Sequence, residues 1–475
     1  MRISLGFKSI VRTLTVCSIA AAYASVFGVC APAKHYEPTE SSLDTHPVPN
    51  WYQDAKLGIF VHWGLYSVPG WAPVTGPGNG DFSNEHWMTL NPYAEWYYNT
   101  MRIEGSPTQA YHREHFGAGF DYYRFSETFN RENKKWNPDA WAELFRNSGA
   151  RYVVLTTKHH DGFTLWPSAV PNPHLPAGSS HADRDLVGAL THAVRLKGLR
   201  MGLYYSGGFD WSFVPGPFHN QTEAGAGTPL TDEYARYTDA QYRELIQRYK
   251  PDILWNDIRY PSKGKALDLF AEFYNAVPEG VINDRWSPFK HTDVTTPEYK
   301  TLSTIALHTW EECRGLGQSF GYNRAEGSAE TIASGKLISL LADVVSKNGN
   351  LLLDVGPEAD GTIPAIQVER LHSLGAWLKL NGEAIFGTRP WTRAEGKTGD
   401  GGDIRFTRKA NAVFAILLNR PAGSSVVLEK VSLPLHRVTM FGALGNLKWS
   451  QQGEDLRVEL PSNLPGQYAW TLRLE

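Results

Sequence analysis

The stretch RYVVLTTKHHDGFTLWPS, residues 151–168, opens as a strand and closes as a cluster of titratable and aromatic side chains. Val153, Val154 and Leu155 make the short apolar run of a buried strand, and Lys158, His159, His160 and Asp161 follow at once. Just upstream, NPDAWAELFRNSGA (137–150) has helical spacing, with Asn137 as N-cap and Pro138 in the first turn. Downstream, DRDLVGALTHAVRLKG (183–198) reads as a helix and RMGLYYS (200–206) as the next strand.

The alternation extends both ways. KLGIFVHWG (56–64) is a strand, TDEYARYTDAQYRELIQRY (231–249) a helix capped by Thr231, and DILWND (252–257) a strand. KALDLFAEFYNAV (265–277) is helical and GVIND (280–284) extended. A helix over 329–346, the strand NLLLDVG (350–356) and the helix PAIQVERLHSLGAWLKLNG (364–382) close the series. Repeated strand–helix alternation demands a parallel sheet, either doubly wound or an irregular (β/α)8-like barrel. Polar and aromatic residues recur at the strands' C-terminal ends: His62-Trp63, His159-His160, Tyr204-Tyr205 and Asp257. A barrel gathers such ends at one mouth, and no glycine-rich phosphate loop follows any strand, so the barrel is expected over residues 34–384. From 385 to 475 the texture changes. GDIRFTRKANAVFAILLNRP, SSVVLEKVSLPL and YAWTLRLE are short strands between Gly, Pro and Asn turns, which predicts an all-β sandwich.

A chain of 475 residues, 42% hydrophobic, has material for two domains, and its 16 tryptophans and 22 tyrosines suit stacking against sugar rings as well as core packing. Residues 1–33 read as a secretion signal. Arg2, Lys8 and Arg12 precede the apolar run Leu14–Val29, and Ala-x-Ala sites stand at Ala22–Ala24 and Ala31–Ala33. The run is short for a membrane span, and a lipidation reading at Cys30 is opposed by bulky Val29. The expected location is therefore secreted or periplasmic. Without those three bases the remaining chain is net acidic, which argues against nucleic acid and anionic membranes as partners. Cys17 and Cys30 fall in or beside the signal, leaving Cys313 with no cysteine to pair with; a structural thiol fits it better than a nucleophile.

In Ile253-Leu254-Trp255-Asn256-Asp257 the period of two puts Ile253, Trp255 and Asp257 on one face. Asp257 is then either a carboxylate aimed into the barrel mouth or a cap for the next helix. Glycosidic cleavage by two carboxylates needs a partner. Asp293, Glu298, Glu311 and Glu312 are candidates; Glu298, after Pro297, suits a loop over the mouth, and spacing does not choose among them. A metal on His159 and His160 is disfavoured, since neighbours on a strand point to opposite faces and no further ligand spacing is present. Hydrogen bonding to a polyhydroxylated ligand suits the pair, and a core histidine is the alternative.

These residues resemble glycoside hydrolase family 29, the α-L-fucosidases. The resemblance is carried by WYQDAKLGIFVHWGLYSVPGWAP (51–73), AEWY (94–97), the run 137–168, RYKPDILWND (248–257), INDRW (282–286), TPEY (296–299), WEECRGLGQSFGYN (310–323) and NGNLLLDVGPEADGTIP (348–364), in order. It implies a barrel followed by a sandwich and an exo-acting retaining hydrolase that releases terminal α-L-fucose from an oligosaccharide or glycoconjugate, without metal or organic cofactor. It further implies Asp257 as nucleophile, Glu298 as acid/base with Glu311 as rival, and a fucose pocket of His62, Glu95, Trp96, His159, His160, Tyr204, Arg285 and Phe320. Two departures stand out: Ile258 follows Asp257 where the family more often has Gly, reshaping the leaving-group side, and Phe320 stands where Trp is common. Hydrolysis of a related sugar such as α-L-galactose, an inactive carbohydrate-binding protein, and a metal-dependent hydrolase built on His62, His159 and His160 are the competing readings. The oligomeric state is left open, a homo-oligomer included.

Overall fold

The computed structural model describes residues 34–75, 86–176, 178–214 and 216–475. The expected secretion signal, with Cys17 and Cys30, lies outside the described residues. Among them no helix is long and apolar enough to cross a membrane.

Seven strands form one parallel sheet: β1 (Leu57–Val61), β2 (Tyr152–Lys158), β3 (Arg200–Ser206), β4 (Ile253–Asp257), β5 (Val281–Ile282), β6 (Trp310–Gly315) and β7 (Gly349–Val355). Their order is β5-β4-β3-β2-β1-β7-β6. The two edge strands do not pair with each other. Residues 293–298 stand between them as an eighth stave held by isolated parallel bridges, Asn283 with Val294, Thr295 with Trp310 and Glu298 with Cys313. The Asp293 amide donates to Ile282 O (3.0 Å), and the Glu311 and Cys313 amides donate to Thr295 O (2.9 Å) and Pro297 O (3.1 Å). The sheet thereby curls into the irregular barrel that the alternation predicts.

Six helices pack outside it: α1 (Pro138–Asn147), α2 (Leu186–Leu196), α3 (Asp232–Tyr249), α4 (Ala266–Ala276), α5 (Ser334–Ser346) and α6 (Ala365–Asn381). Asn137 caps α1 through the Asp139 and Ala140 amides, with Pro138 in the first turn, and Thr231 caps α3. No helix separates β5 from β6, so that crossing is made by irregular chain with turns and isolated bridges. Inside, Phe60, Tyr152, Tyr204, Ile253, Trp255, Val294 and Cys313 fill the barrel. Gly58 is required there: a Cβ on it would lie 2.3 Å from the Tyr152 ring.

Two sequence expectations are corrected, and one strand is added that the sequence reading did not assign. WEECRG is the fully paired strand β6, whose charged residues hid it from a reading based on apolar alternation. The helix expected from 329 begins at Ser334, and Glu298 is part of the barrel wall, bridged to Cys313, instead of a loop over the mouth.

Eight further strands follow: β8 (Arg389–Lys397), β9 (Asp403–Lys409), β10 (Ala412–Leu417), β11 (Ser425–Leu428), β12 (Val438–Met440), β13 (Trp449–Gln452), β14 (Asp455–Glu459) and β15 (Trp470–Leu474). They make a five-stranded sheet (β12-β15-β10-β9-β8) and a three-stranded one (β11-β14-β13), antiparallel throughout. Ile404, Phe406, Leu417, Leu428, Leu456 and Leu472 are buried together in one core drawn from both sheets. The opposite face of β10, Phe414 and Ile416, joins the barrel's outer core.

Candidate active site

The strands deliver their polar residues to one end. His62 follows β1, His159 and His160 follow β2, Asp257 ends β4, Arg285 follows β5, and Glu298 comes from the irregular stave. Glu95 and Trp96 arrive on the short helical turn Ala94–Trp96, and Phe320 on the loop after β6. These residues, with Tyr204, line one cavity of about 340 Å³. Its floor is Phe60 and Trp255. Glu311 is not among the lining residues. It is buried below Trp255, accepting hydrogen bonds from Trp255 Nε1 (3.0 Å), Tyr52 Oη (2.8 Å) and Tyr152 Oη (2.5 Å).

Arg285 joins the two carboxylates of the mouth. Its Nη1 lies 2.8 Å from Asp257 Oδ1 and 3.3 Å from Glu298 Oε2. Those two oxygens are therefore no farther apart than the two legs laid end to end. That is short of the roughly 6.5–9.5 Å gap through which inverting glycosidases admit water. The guanidinium cannot swing away easily: it also donates to Thr296 O (3.0 Å) and Thr296 Oγ1 (3.2 Å), and lies 4.6 Å over the Trp255 ring.

The surroundings drive the carboxylates in opposite directions. Burial raises the pKa of Asp257, but the Arg285 charge and the hydrogen bonds from Arg285 and Tyr204 Oη (2.8 Å) outweigh it, leaving Asp257 below the ordinary Asp value. Burial of Glu298, with the Asp257 charge adding to it, prevails over Arg285 and the hydrogen bond from Tyr93 Oη (3.1 Å), leaving Glu298 above the ordinary Glu value. Asp257 is pushed toward the ionised form and its neighbour Glu298 toward the protonated one.

The histidines are held neutral. Burial takes His62, His159 and His160 well below the usual imidazole pKa, with neighbouring positive or imidazole groups adding to it. His160 Nδ1 lies 2.6 Å from Ser206 Oγ, whose own proton goes to Phe209 O at 2.8 Å. Nδ1 is therefore the protonated nitrogen, and Nε2, 3.9 Å from Asp257 Oδ2, is a bare acceptor. His62 Nδ1 is fixed by Asp354 Oδ1 at 2.6 Å. His159 Nδ1 is buried and finds no hydrogen-bond partner among the described residues. Glu95, pushed up to about 7 by burial against its hydrogen bonds, accepts from the Gly321 amide (2.8 Å) and Ser319 Oγ (3.2 Å) and so anchors Phe320. Trp96 meets the His160 ring edge-on at 5.3 Å. Among the described residues no three His, Cys, Asp or Glu side chains are grouped to hold a metal ion.

Sequence reasoning missed several lining residues, among them Tyr93, Trp87, Met88, Phe209 and Arg259. It also passed over Asp354, although this carboxylate near the end of the apolar strand β7 carries the signal that singled out Asp257. Cys313 lines the cavity with burial holding its thiol well above the ordinary range, which suits the structural reading.

A barrel whose mouth holds two neighbouring carboxyls, one pushed toward the ionised form and the other toward the protonated form, among neutral imidazoles that can hydrogen-bond to hydroxyls, has the make-up of a retaining glycoside hydrolase. Comparison with known proteins narrows the class. The family model described as alpha-L-fucosidase matches residues 27–383, and that of the alpha-L-fucosidase C-terminal domain matches 400–475. The chain belongs to the α-L-fucosidases, glycoside hydrolase family 29. It is 35% identical to bovine tissue α-L-fucosidase and 34% to the human protein, covering 94% and 93% of this chain and 92% of each relative. The crystal structure of Thermotoga maritima α-fucosidase superposes with a TM-score of 0.85 at 45% identity, over 93% of this chain and all of that one. The same Thermotoga enzyme has been solved with fucose (TM-score 0.85) and with a mechanism-based inhibitor (TM-score 0.86).

Proposed function

We propose that this protein removes terminal α-L-fucose from fucosylated oligosaccharides or glycoconjugates with retention of anomeric configuration. The observation that carries the reading is the guanidinium shared by Asp257 and Glu298, which keeps them close while their pKa values are driven apart. Asp257 attacks the anomeric carbon as Glu298 passes its proton to the leaving oxygen, forming a covalent fucosyl-enzyme. Glu298, now ionised, takes a proton from water, and the hydroxide attacks the same carbon to release fucose and Asp257. His160 Nε2 takes a hydrogen bond from a sugar hydroxyl, His62 and His159 beside it exchange hydrogen bonds with neighbouring hydroxyls, Glu95 accepts from another, and Trp96 and Phe320 cover the sugar's apolar parts.

The barrel, residues 34–384, is assigned as the catalytic domain and 385–475 as an accessory sandwich. Residues 1–33 are assigned as an export signal, checked by N-terminal sequencing of the protein recovered outside the cytoplasm.

The test is hydrolysis of an aryl α-L-fucoside, with the α-L-galactoside as control. Wild type is expected to release fucose and Asp257→Ala to fall to background; a wild type inactive on the fucoside overturns the reading. Azide is expected to rescue Glu298→Ala, yielding fucosyl azide, and not Glu311→Ala. Dialysis against a chelator is expected to leave the rate unchanged.

A further inference from the structure

Ile258, the residue after Asp257, has φ = 68°, a left-handed conformation that a β-branched residue adopts only under constraint. The Arg259 amide donates to Asp257 O at 2.9 Å, closing a γ-turn of the rare, strained hand with Ile258 at its centre. The surroundings impose it. The Gly208 amide donates to the same carbonyl at 3.2 Å, and Asn256 Nδ2 holds Arg259 O at 2.9 Å. Gly208 lies so close beneath that a Cβ there would stand 2.6 Å from the Arg259 amide nitrogen. The Arg259 guanidinium reaches across to Gly225 O at the end of the short helix Gln221–Gly225.

This turn has two outputs. Its centre turns the Ile258 amide onto Asp257 Oδ1 at 2.8 Å, and it presents the Ile258 side chain, half-buried, to the cavity. The deep end of the cavity is Phe60, His62, Tyr204 and Trp255, all buried; Ile258 stands toward the rim with exposed Arg259 and Gln221. A fucose seated with its anomeric carbon at Asp257 sends its leaving group outward past this rim.

We infer that the strained turn serves to hold Ile258 as an apolar wall against the ring of the sugar that leaves, making Ile258 a determinant of leaving-group specificity. Backbone strain of this kind persists where the structure over-determines it, and it concentrates at functional sites. The inference rests on the fucosidase reading. It requires the wall to matter for a leaving sugar ring and not for a leaving group with no ring.

The experiment compares kcat/KM for an α-L-fucosyl galactoside and for α-L-fucosyl fluoride in wild type, Ile258→Ala and Ile258→Gly, with Tm for each. The disaccharide-to-fluoride ratio is expected to fall about tenfold in both variants, the size of effect given by loss of an apolar contact. Tm is expected to be higher for Ile258→Gly than for Ile258→Ala, since both lose the side chain and only glycine is at ease with positive φ. Ile258→Val, which keeps the branch and the strain, is expected to retain most of the ratio, and it carries the comparison if the smaller residues do not fold. Equal losses on both substrates, an unchanged ratio, an alanine variant as stable as the glycine one, or a wild type that cleaves the fluoride and no disaccharide each overturn the role of Ile258. A wild type that cleaves neither overturns the fucosidase reading instead.

Discussion

Arg285 acts on both carboxylates at once, lowering Asp257 and Glu298 alike while burial raises each. Removing its charge in Arg285→Gln takes away the strongest counterweight to burial at both groups, so both titrations move to higher pH. On the proposed roles, the wild-type rate is expected to fall at acid pH as Asp257 is protonated and at alkaline pH as Glu298 loses its proton. The expected result for Arg285→Gln is a kcat/KM–pH profile whose two limbs both shift upward and whose maximum is lower; an unmoved acid limb would show that Arg285 does not keep Asp257 ionised. For Glu298→Ala the expected loss is about 10²- to 10⁴-fold on a substrate whose leaving group needs a proton, and far less on the fluoride. Stopped-assay rates on the two substrates distinguish these outcomes.

The end of β2 is fixed from behind by an ion pair. Lys158 Nζ and Asp210 Oδ2 are 3.1 Å apart and fully buried, and the Trp211 amide donates to His160 O at 2.7 Å. Asp210→Ala strands a cation in the interior, which typically costs about 3–5 kcal/mol. Chemical denaturation is expected to show a loss of that size, and the double variant Lys158→Met with Asp210→Leu is expected to lose less stability than either change alone. A loss near zero for Asp210→Ala would mean that Lys158 is already neutral or reaches water. At this scale the sequence is legible where an element's residues agree with its period. β3 and α3 begin and end where alternation and Thr231 place them. β6 was illegible because a barrel strand buried on both faces hides Glu311 in a cage of three donors, and only the distant Tyr52, Tyr152 and Trp255 make a carboxylate tolerable there. The pairing of Asp257 with Arg285 and Glu298 was legible only through family resemblance, since spacing says nothing about which staves face each other.

Barrel and sandwich share a core across the whole molecule. α5 packs on β8 and β9, Asp343 binds Lys347 (2.9 Å) and Arg405, and Trp377 Nε1 donates to Ala469 O at 3.0 Å. Thermal unfolding is accordingly expected as one transition by calorimetry. A chain ending at residue 384 is expected to be insoluble, because the surface that covers Phe414 and Ile416 would be bare; two separated transitions would show that the halves are independent. The closure of the barrel has a consequence of another kind. Asp257 lies on a strand laddered along its length to β3, where inserting one residue would turn every side chain to the wrong face. Glu298 lies on a stave tied by single bridges, between connections that contain no helix. An insertion or deletion there breaks single bridges and leaves the ladders of the other strands in register, so the position of residue 298 is constrained by far fewer backbone pairings than that of Asp257.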